Sequence, residues 1–354
     1  MLDTLGEHNL MALIGLGSGL LLGLAARLGR FCTLGAIEDA LYGGSAVRLR
    51  MWGIAIGLAV IGSFALMASG ALVATQTYYL SIRWLPMASI VGGLMFGYGM
   101  ALSGNCGYGA IARLGGGDLR SFVIVLVMGV ATFVVLSGPL APLRDYLFPQ
   151  RLVTTDVAPG IAHQLAAISG IPVTWIGMSV GALILFGSAA SRAVWQKPSH
   201  VAWAAAVGMS VVLAWAGTSW VAQTGFEALP VVSHSFAAPL GDTILWWMTG
   251  SARPLSFAVG SVTGVWTGAF VGSLIKGHFR WEACEDPREL RRQIFGAALM
   301  GTGAVIALGC SIGQGLSAFS LLALSGPVTF AAIFAGAALG LRQLIVGFSL
   351  RSRV

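Results

Sequence analysis

The sequence predicts an all-α polytopic membrane protein, on three observations: its composition, its series of long apolar runs, and the alternation of basic residues between them. The 354 residues are 56% hydrophobic and only 9% charged, against about 25% charged in a soluble domain. One aqueous-facing core cannot absorb so much apolar chain, so the solvent implied is a bilayer. The 50 glycines are about twice the ordinary share, and in membrane helices such an excess marks close backbone packing.

Runs long enough to span, about 20 residues each, fall near 10–29, 51–75, 87–104, 119–141, 171–190, 201–222, 255–276, 294–310 and 322–346, giving about nine transmembrane helices. Basic residues separate them. The first two runs bracket Arg27, Arg30, Arg48 and Arg50; the next pair brackets Arg113 and Arg120; then come Arg192 and Lys197, followed by Lys276, Arg280, Arg288, Arg291 and Arg292. The last run carries Arg342 and is followed by Arg351 and Arg353, whereas the opposite connections hold only Arg83, Arg144, Arg151 and Arg253. Sixteen of the 20 cations therefore lie on one side. By the positive-inside rule this places the N-terminus outside and the C-terminus in the cytoplasm. The acidic N-terminal stretch Met1 to Glu7 does not resemble a cleaved signal peptide.

The net charge of +7 does not signal nucleic acid, because the cations form no polybasic face interleaved with aromatics. Four cysteines without a C-x-x-C pair argue against a disulfide framework or a structural zinc site. No nucleotide-binding loop, metal-ligand cluster or Ser/His/Asp set is legible, so neither a cofactor nor a metal is expected. The carboxylates and the five histidines all fall in connections or at helix ends, which leaves no obvious ion-coupling carboxylate at membrane depth.

One motif occurs twice. Gly97-x-Gly99 leads to Cys106 and Gly109, and in the same register Gly301-x-Gly303 leads to Cys310 and Gly313. Gly92 matches Gly296, and Arg30-Phe31-Cys32 with Gly35 is a shorter echo. The first copy ends an inward helix and the second an outward one. The chain thus reads as one membrane domain (1–354) of two inverted repeats, 10–145 and 170–345, with broken or re-entrant helices and the site at the repeat interface. The stretch from Val221 to Pro254, with Trp246 and Trp247, reads as an interfacial or re-entrant excursion.

The thiols are the distinctive chemistry at membrane depth. A thiol in an apolar site stays protonated, since burial disfavours the charged form, and it can then donate to a soft sulfur atom. Short helices starting after Cys106 and Cys310 would aim N-terminal amides at the site and favour an anion there. Flanking glycines, Gly104, Gly109, Gly309 and Gly313, permit close backbone approach, and Gln314 is a candidate pore-lining polar group. Arg113, Asp118 and Arg120 read as topology and capping residues, and Glu38 and Asp39 as partners of Arg27 or Arg30. Cys284, in a charged connection, reads as incidental. A small sulfur-containing anion suits this set. A membrane thiol oxidoreductase and a passive small-solute channel are the alternatives.

Carried by Arg30-Phe31-Cys32 and the two glycine-cysteine motifs, the chain resembles the YeeE/YedE family of sulfur-compound transporters over nearly its whole length. The resemblance implies an hourglass of inverted helices that imports thiosulfate rather than an enzyme. It implies that Cys32, Cys106 and Cys310 hand the anion along the pore through S–H···S contacts. It also implies a cytoplasmic TusA-like sulfur carrier as a partner. Cys284 matches no motif of that family.

Overall fold

The computed structural model describes residues 6–153, 158–283 and 286–347; Cys284 lies outside them. The described residues are helical, with isolated β-bridges but no strand. The principal helices are α1 (Glu7–Leu28), α2 (Thr33–Leu41), α3 (Val47–Ala68), α4 (Pro86–Ser103), α5 (Gly107–Leu114) and α6 (Leu119–Leu136). They continue with α7 (Val173–Ala189), α8 (Pro198–Thr224), α9 (Ala238–Thr249), α10 (Phe257–Ile275), α11 (Pro287–Ile306) and α12 (Ser325–Val346). Each of the nine apolar runs falls on one of these. Among the described residues seven spans are long and apolar enough to cross a bilayer. Of the other two runs, α7 has only 17 residues, and α11 opens with charged turns containing Arg288, Glu289, Arg291 and Arg292.

Glycine does set the packing. Gly15, Gly19 and Gly23 of α1 recur every fourth residue and so share one helical face. That face meets the matching ladder of Gly260, Gly264 and Gly268 on α10. A methyl on Gly23 would lie 2.2 Å from the Val265 carbonyl, and one on Gly260 1.9 Å from the Ala12 carbonyl. Without Cβ atoms the two backbones touch, the contact that membrane helices use where no hydrophobic effect joins them.

The Gly-x-Gly pairs of the two motifs do the same with more division of labour. Residues two apart on a helix point about 200° apart. Gly97 accordingly abuts Ile333 of α12, and Gly99 abuts Gly296 and Met300 of α11. In the second copy Gly301 abuts Met128 of α6, and Gly303 abuts Gly92 and Phe96 of α4. These glycines are packing residues rather than site residues. The remaining contacts follow suit: α1 packs on α10 and α3 on α8; α4 packs on α12 and α6 on α11; α2 packs on α3 and α9 on α10.

The excursion between α8 and α10 turns inward. Val231, His234, Phe236 and Ala237 are buried, and Ser317 Oγ donates to the His234 carbonyl at 2.7 Å. Trp247, further on in α9, is exposed. Asp118 caps α6, accepting from the Arg120 amide at 3.0 Å. Asp39 pairs with Arg48 at 3.4 Å rather than with Arg27 or Arg30.

Candidate functional site

All three described cysteines are free and occupy one local structure. Each begins a helix: Cys32 is the residue before α2 and Cys106 the residue before α5. Cys310 precedes Ser311–Ile312, which widen into the π-helix Gly313–Ala318. Each cysteine carbonyl accepts the first helical bond, from Ala36 (3.1 Å), Ala110 (2.8 Å) and Gln314 (2.8 Å). Two residues before each thiol the backbone is left-handed, at Arg30 (φ 53°), Gly104 (φ 72°) and Leu308 (φ 59°). That reversal turns the incoming helix sharply into the next one. Only Gly104 adopts it without steric cost. The short echo at Cys32 is therefore the same device as the two long motifs.

Cys106 and Cys310 are buried, at 0% and 1% exposure. The Cys106 sulfur accepts from the Gly109 amide at 3.4 Å, with the Thr33 hydroxyl 4.0 Å away. The Cys310 sulfur is more closely held: it accepts from the Gly313 amide at 3.4 Å and the Phe236 amide at 3.1 Å, and Ser235 Oγ lies at 3.7 Å. Thr33 Oγ1 donates to Ser311 Oγ at 3.1 Å, so the residues that follow Cys32 and Cys310 are tied together beside Cys106.

Two cavities approach this knot. One, of about 390 Å³, lies at the N-terminal ends of α1 and α10 and is lined by Tyr78, Tyr79, Ser233, Ser235, Leu308 and Gly309. The other, of about 530 Å³, lies at the C-terminal ends of the same two helices and is lined by Cys32, Gly104, Asn105 and Gly109, with a basic wall. Since α1 and α10 run side by side along their lengths, the cavities open at opposite ends of the helix bundle.

Of the residues singled out from the sequence, Cys32, Gly104 and Gly109 line the second cavity and Gly309 the first. Gly313 sits behind Cys310, where a methyl would lie 2.8 Å from Ser235 Oγ and 2.9 Å from the Tyr79 hydroxyl. Gln314 is fully buried and packs behind Gly309, with Nε2 donating to the Ala307 carbonyl at 2.8 Å; it lines neither cavity. Sequence reasoning missed Thr33, Tyr79, Ser235, Phe236 and Ser311. Thr33 and Ser311, each directly after a motif cysteine, were the two within reach of a positional argument.

His234 lies in a connection, as expected of the histidines, yet that connection enters the core. Its ring is fully buried, with Nδ1 2.7 Å from Ser261 Oγ.

The profile of the sulphur-transport family matches residues 13–339. The chain belongs to that family. Membership makes it a multi-pass transport protein for sulfur compounds rather than an enzyme. Among similar proteins, a thiosulfate transporter TsuA of Escherichia coli K12 is 26% identical over 329 residues, covering 89% of this chain and 90% of that one. A thiosulfate transporter TsuA of Spirochaeta thermophila is 27% identical over 322 residues, covering 88% and 92% respectively. Both alignments cover most of each chain, so the resemblance is to whole transporters and not to one shared motif.

Proposed function

We propose that this protein imports thiosulfate, or a closely related small sulfur dianion, across the bacterial inner membrane, using Cys310, Cys106 and Cys32 as successive donors. The observation that carries this reading is the pair of cavities at opposite ends of the bundle, one reaching Gly309 beside buried Cys310 and the other reaching Cys32 and Asn105, beside buried Cys106. The names of the two relatives supply the substrate.

In this mechanism the anion enters past Tyr79, Ser235 and Gly309 and meets the Cys310 thiol. The amides of Phe236 and Gly313 occupy the sulfur's lone pairs, which strengthens S–H as a donor through cooperative polarisation. A soft S–H donor suits a terminal sulfur better than it suits water. The Thr33–Ser311 hydrogen bond lies beside Cys106, and in this scheme the anion passes there to Cys106 and then to Cys32 on the opposite cavity wall. Orientation follows the charge asymmetry, with the Cys32 cavity cytoplasmic. A cytoplasmic TusA-like carrier would accept the product.

What supports the inverted-repeat reading of residues 10–145 and 170–345 is the exchange of contacts. The first Gly-x-Gly reaches α12 and α11, while the second reaches α6 and α4. In that scheme α1 to α6 correspond in order to α8, α9, α10, α11, the π-helix Gly313–Ala318 and α12, so the second repeat is best drawn from Pro198. Then α7, which packs on α3, stands as an added helix.

Carrying a dianion into a cell negative by about 100 mV costs about 4.6 kcal/mol, or roughly three powers of ten in concentration. Consumption of the substrate inside the cell, or a co-transported proton, supplies that drive in this scheme. The test is sulfur-limited growth of an uptake-deficient bacterium on thiosulfate, with membrane expression checked for each variant. Wild type and Cys284→Ala should grow, while Cys106→Ala and Cys310→Ala should fail. Normal growth of those two would reduce the thiols to packing groups. Failure of well-expressed wild type would remove thiosulfate as the substrate.

A further inference from the structure

We propose that the cavity on the Cys32 side is an anion-holding vestibule, with its own affinity for small doubly charged oxyanions of the thiosulfate and sulfate class. Its role as an exit station rests on the transport reading above; the affinity itself does not.

The wall carries Arg27, Arg30, Arg48, Arg113 and Lys276 against one carboxylate, Glu38. Among the described residues only Arg48 of these five makes an ion pair, with Asp39. Two of the others are held by neutral groups. Arg27 Nε donates to Ser273 Oγ at 2.6 Å, and Lys276 Nζ donates to the Arg27 and Leu28 carbonyls at 2.7 and 3.1 Å. Neutral partners fix the positions of these two cations without placing a carboxylate in ion-pair contact with either. The opposite cavity shows what a wall without this feature looks like: its ionisable side chains include a histidine, His8, and a carboxylate, Asp242.

The backbone leaves room for these charges at the cavity wall. Arg30 takes a left-handed conformation unfavourable to a residue with a Cβ, at the turn that leads to Cys32. Gly35 and Gly116 have no Cβ where the guanidinium groups of Arg48 and Arg27 lie; a methyl would meet them at 2.3 and 2.0 Å. Lys276 loses affinity for its proton, chiefly through burial and then through Arg30 and Arg27.

Topology alone calls for basic residues at this end of the bundle. Arg192, Lys197, Arg288, Arg291 and Arg292 meet that need from outside the cavity. It does not call for five cations converging on a space of about 530 Å³ that ends at a thiol. A recess lined mainly by one sign of charge concentrates counter-ions by about tenfold to a thousandfold, and a dianion feels that field twice over. The vestibule would hold the delivered anion until it is consumed, and internal sulfate would compete for the same place.

Cys32 lines this cavity and serves as the reporter. In the full chain carrying Cys284→Ser, the rates at which Cys32 is modified by an anionic and a cationic methanethiosulfonate are measured by mass spectrometry. Their ratio is normalised to that of free cysteine. The expected ratio favours the anionic reagent by about tenfold or more, and sulfate slows that reagent more than chloride does at equal ionic strength. Arg30→Gln with Arg113→Gln should bring the ratio towards one, while Arg30→Lys with Arg113→Lys retains it and controls for misfolding. A normalised ratio near one in the wild-type wall, or no protection by sulfate, overturns the proposal. If Cys32 keeps its anion preference in a protein that imports no thiosulfate, only the transport reading falls; import without that preference removes only the vestibule.

Discussion

The two long motifs share a sequence frame but not a surrounding. Cys106 receives one amide and has a hydroxyl at 4.0 Å, a regular helix follows it, and the cavity that reaches its neighbours Asn105 and Gly109 is basic. Cys310 receives two amides with a serine hydroxyl nearby, and a π-helix follows it. The difference comes from the segment laid across each thiol. Across Cys106 lies the start of α2, where Thr33 follows Cys32. Across Cys310 lies the re-entrant stretch, where Phe236 follows Ser235. Ser235 thus stands where the other half has its third cysteine, so one half presents two thiols and the other a thiol and a hydroxyl. In the proposed relay, a donor set graded from hydroxyl to thiols and running towards a basic recess would give the scaffold a direction.

Substitutions can break this comparison, and the largest effects belong at the buried thiols. Replacing either Cys106 or Cys310 by Ala should lower thiosulfate uptake into proteoliposomes by about tenfold to a hundredfold, the worth of one hydrogen bond to a charged group. Comparable loss at both positions keeps the relay symmetric; loss at one alone would reduce the other to packing.

The glycines three residues on should separate next. Gly313→Ala forces a methyl to 2.8 Å from Ser235 Oγ, whereas Gly109→Ala meets nothing nearer than Asn105 Oδ1 at 3.4 Å. Thermal unfolding in detergent should show about 1–3 kcal/mol lost for Gly313→Ala, the usual range for overpacking, and clearly less for Gly109→Ala. Equal losses would mean that Ser235 and Tyr79 do not hold Cys310 as described. Gly104→Ala meets no atom within 4 Å, so its cost should be the left-handed conformation alone, about 1–2 kcal/mol.

The mildest test concerns the odd cysteine. Cys32→Ser gives its half what Ser235 supplies in the other. It should reduce uptake by only about threefold, with Cys32→Ala worse, because a hydroxyl keeps a donor that a methyl lacks. If serine fares no better than alanine there, the correspondence between Cys32 and Ser235 has no functional meaning.

The sequence alone determined the class of the protein, its helices and its thiols. These are properties of single segments: an apolar run of spanning length can satisfy its backbone in lipid only as a helix, and a repeated Gly-Cys frame is visible wherever it lies. The sequence also placed short helices after Cys106 and Cys310, because a glycine-cysteine break in an apolar run leaves the chain few other ways to continue. Tertiary structure alone decided which glycines pack and which flank the site. Gly97 and Gly99 look equal on paper, but helical geometry sends them to different neighbours, α12 and α11. It alone brought Ser235 and Phe236 to Cys310 from 74 residues away in sequence or more. It also gathered arginines that topology had explained one at a time into a single wall. Contacts between distant segments depend on how helices cross, and no local pattern in this chain records that.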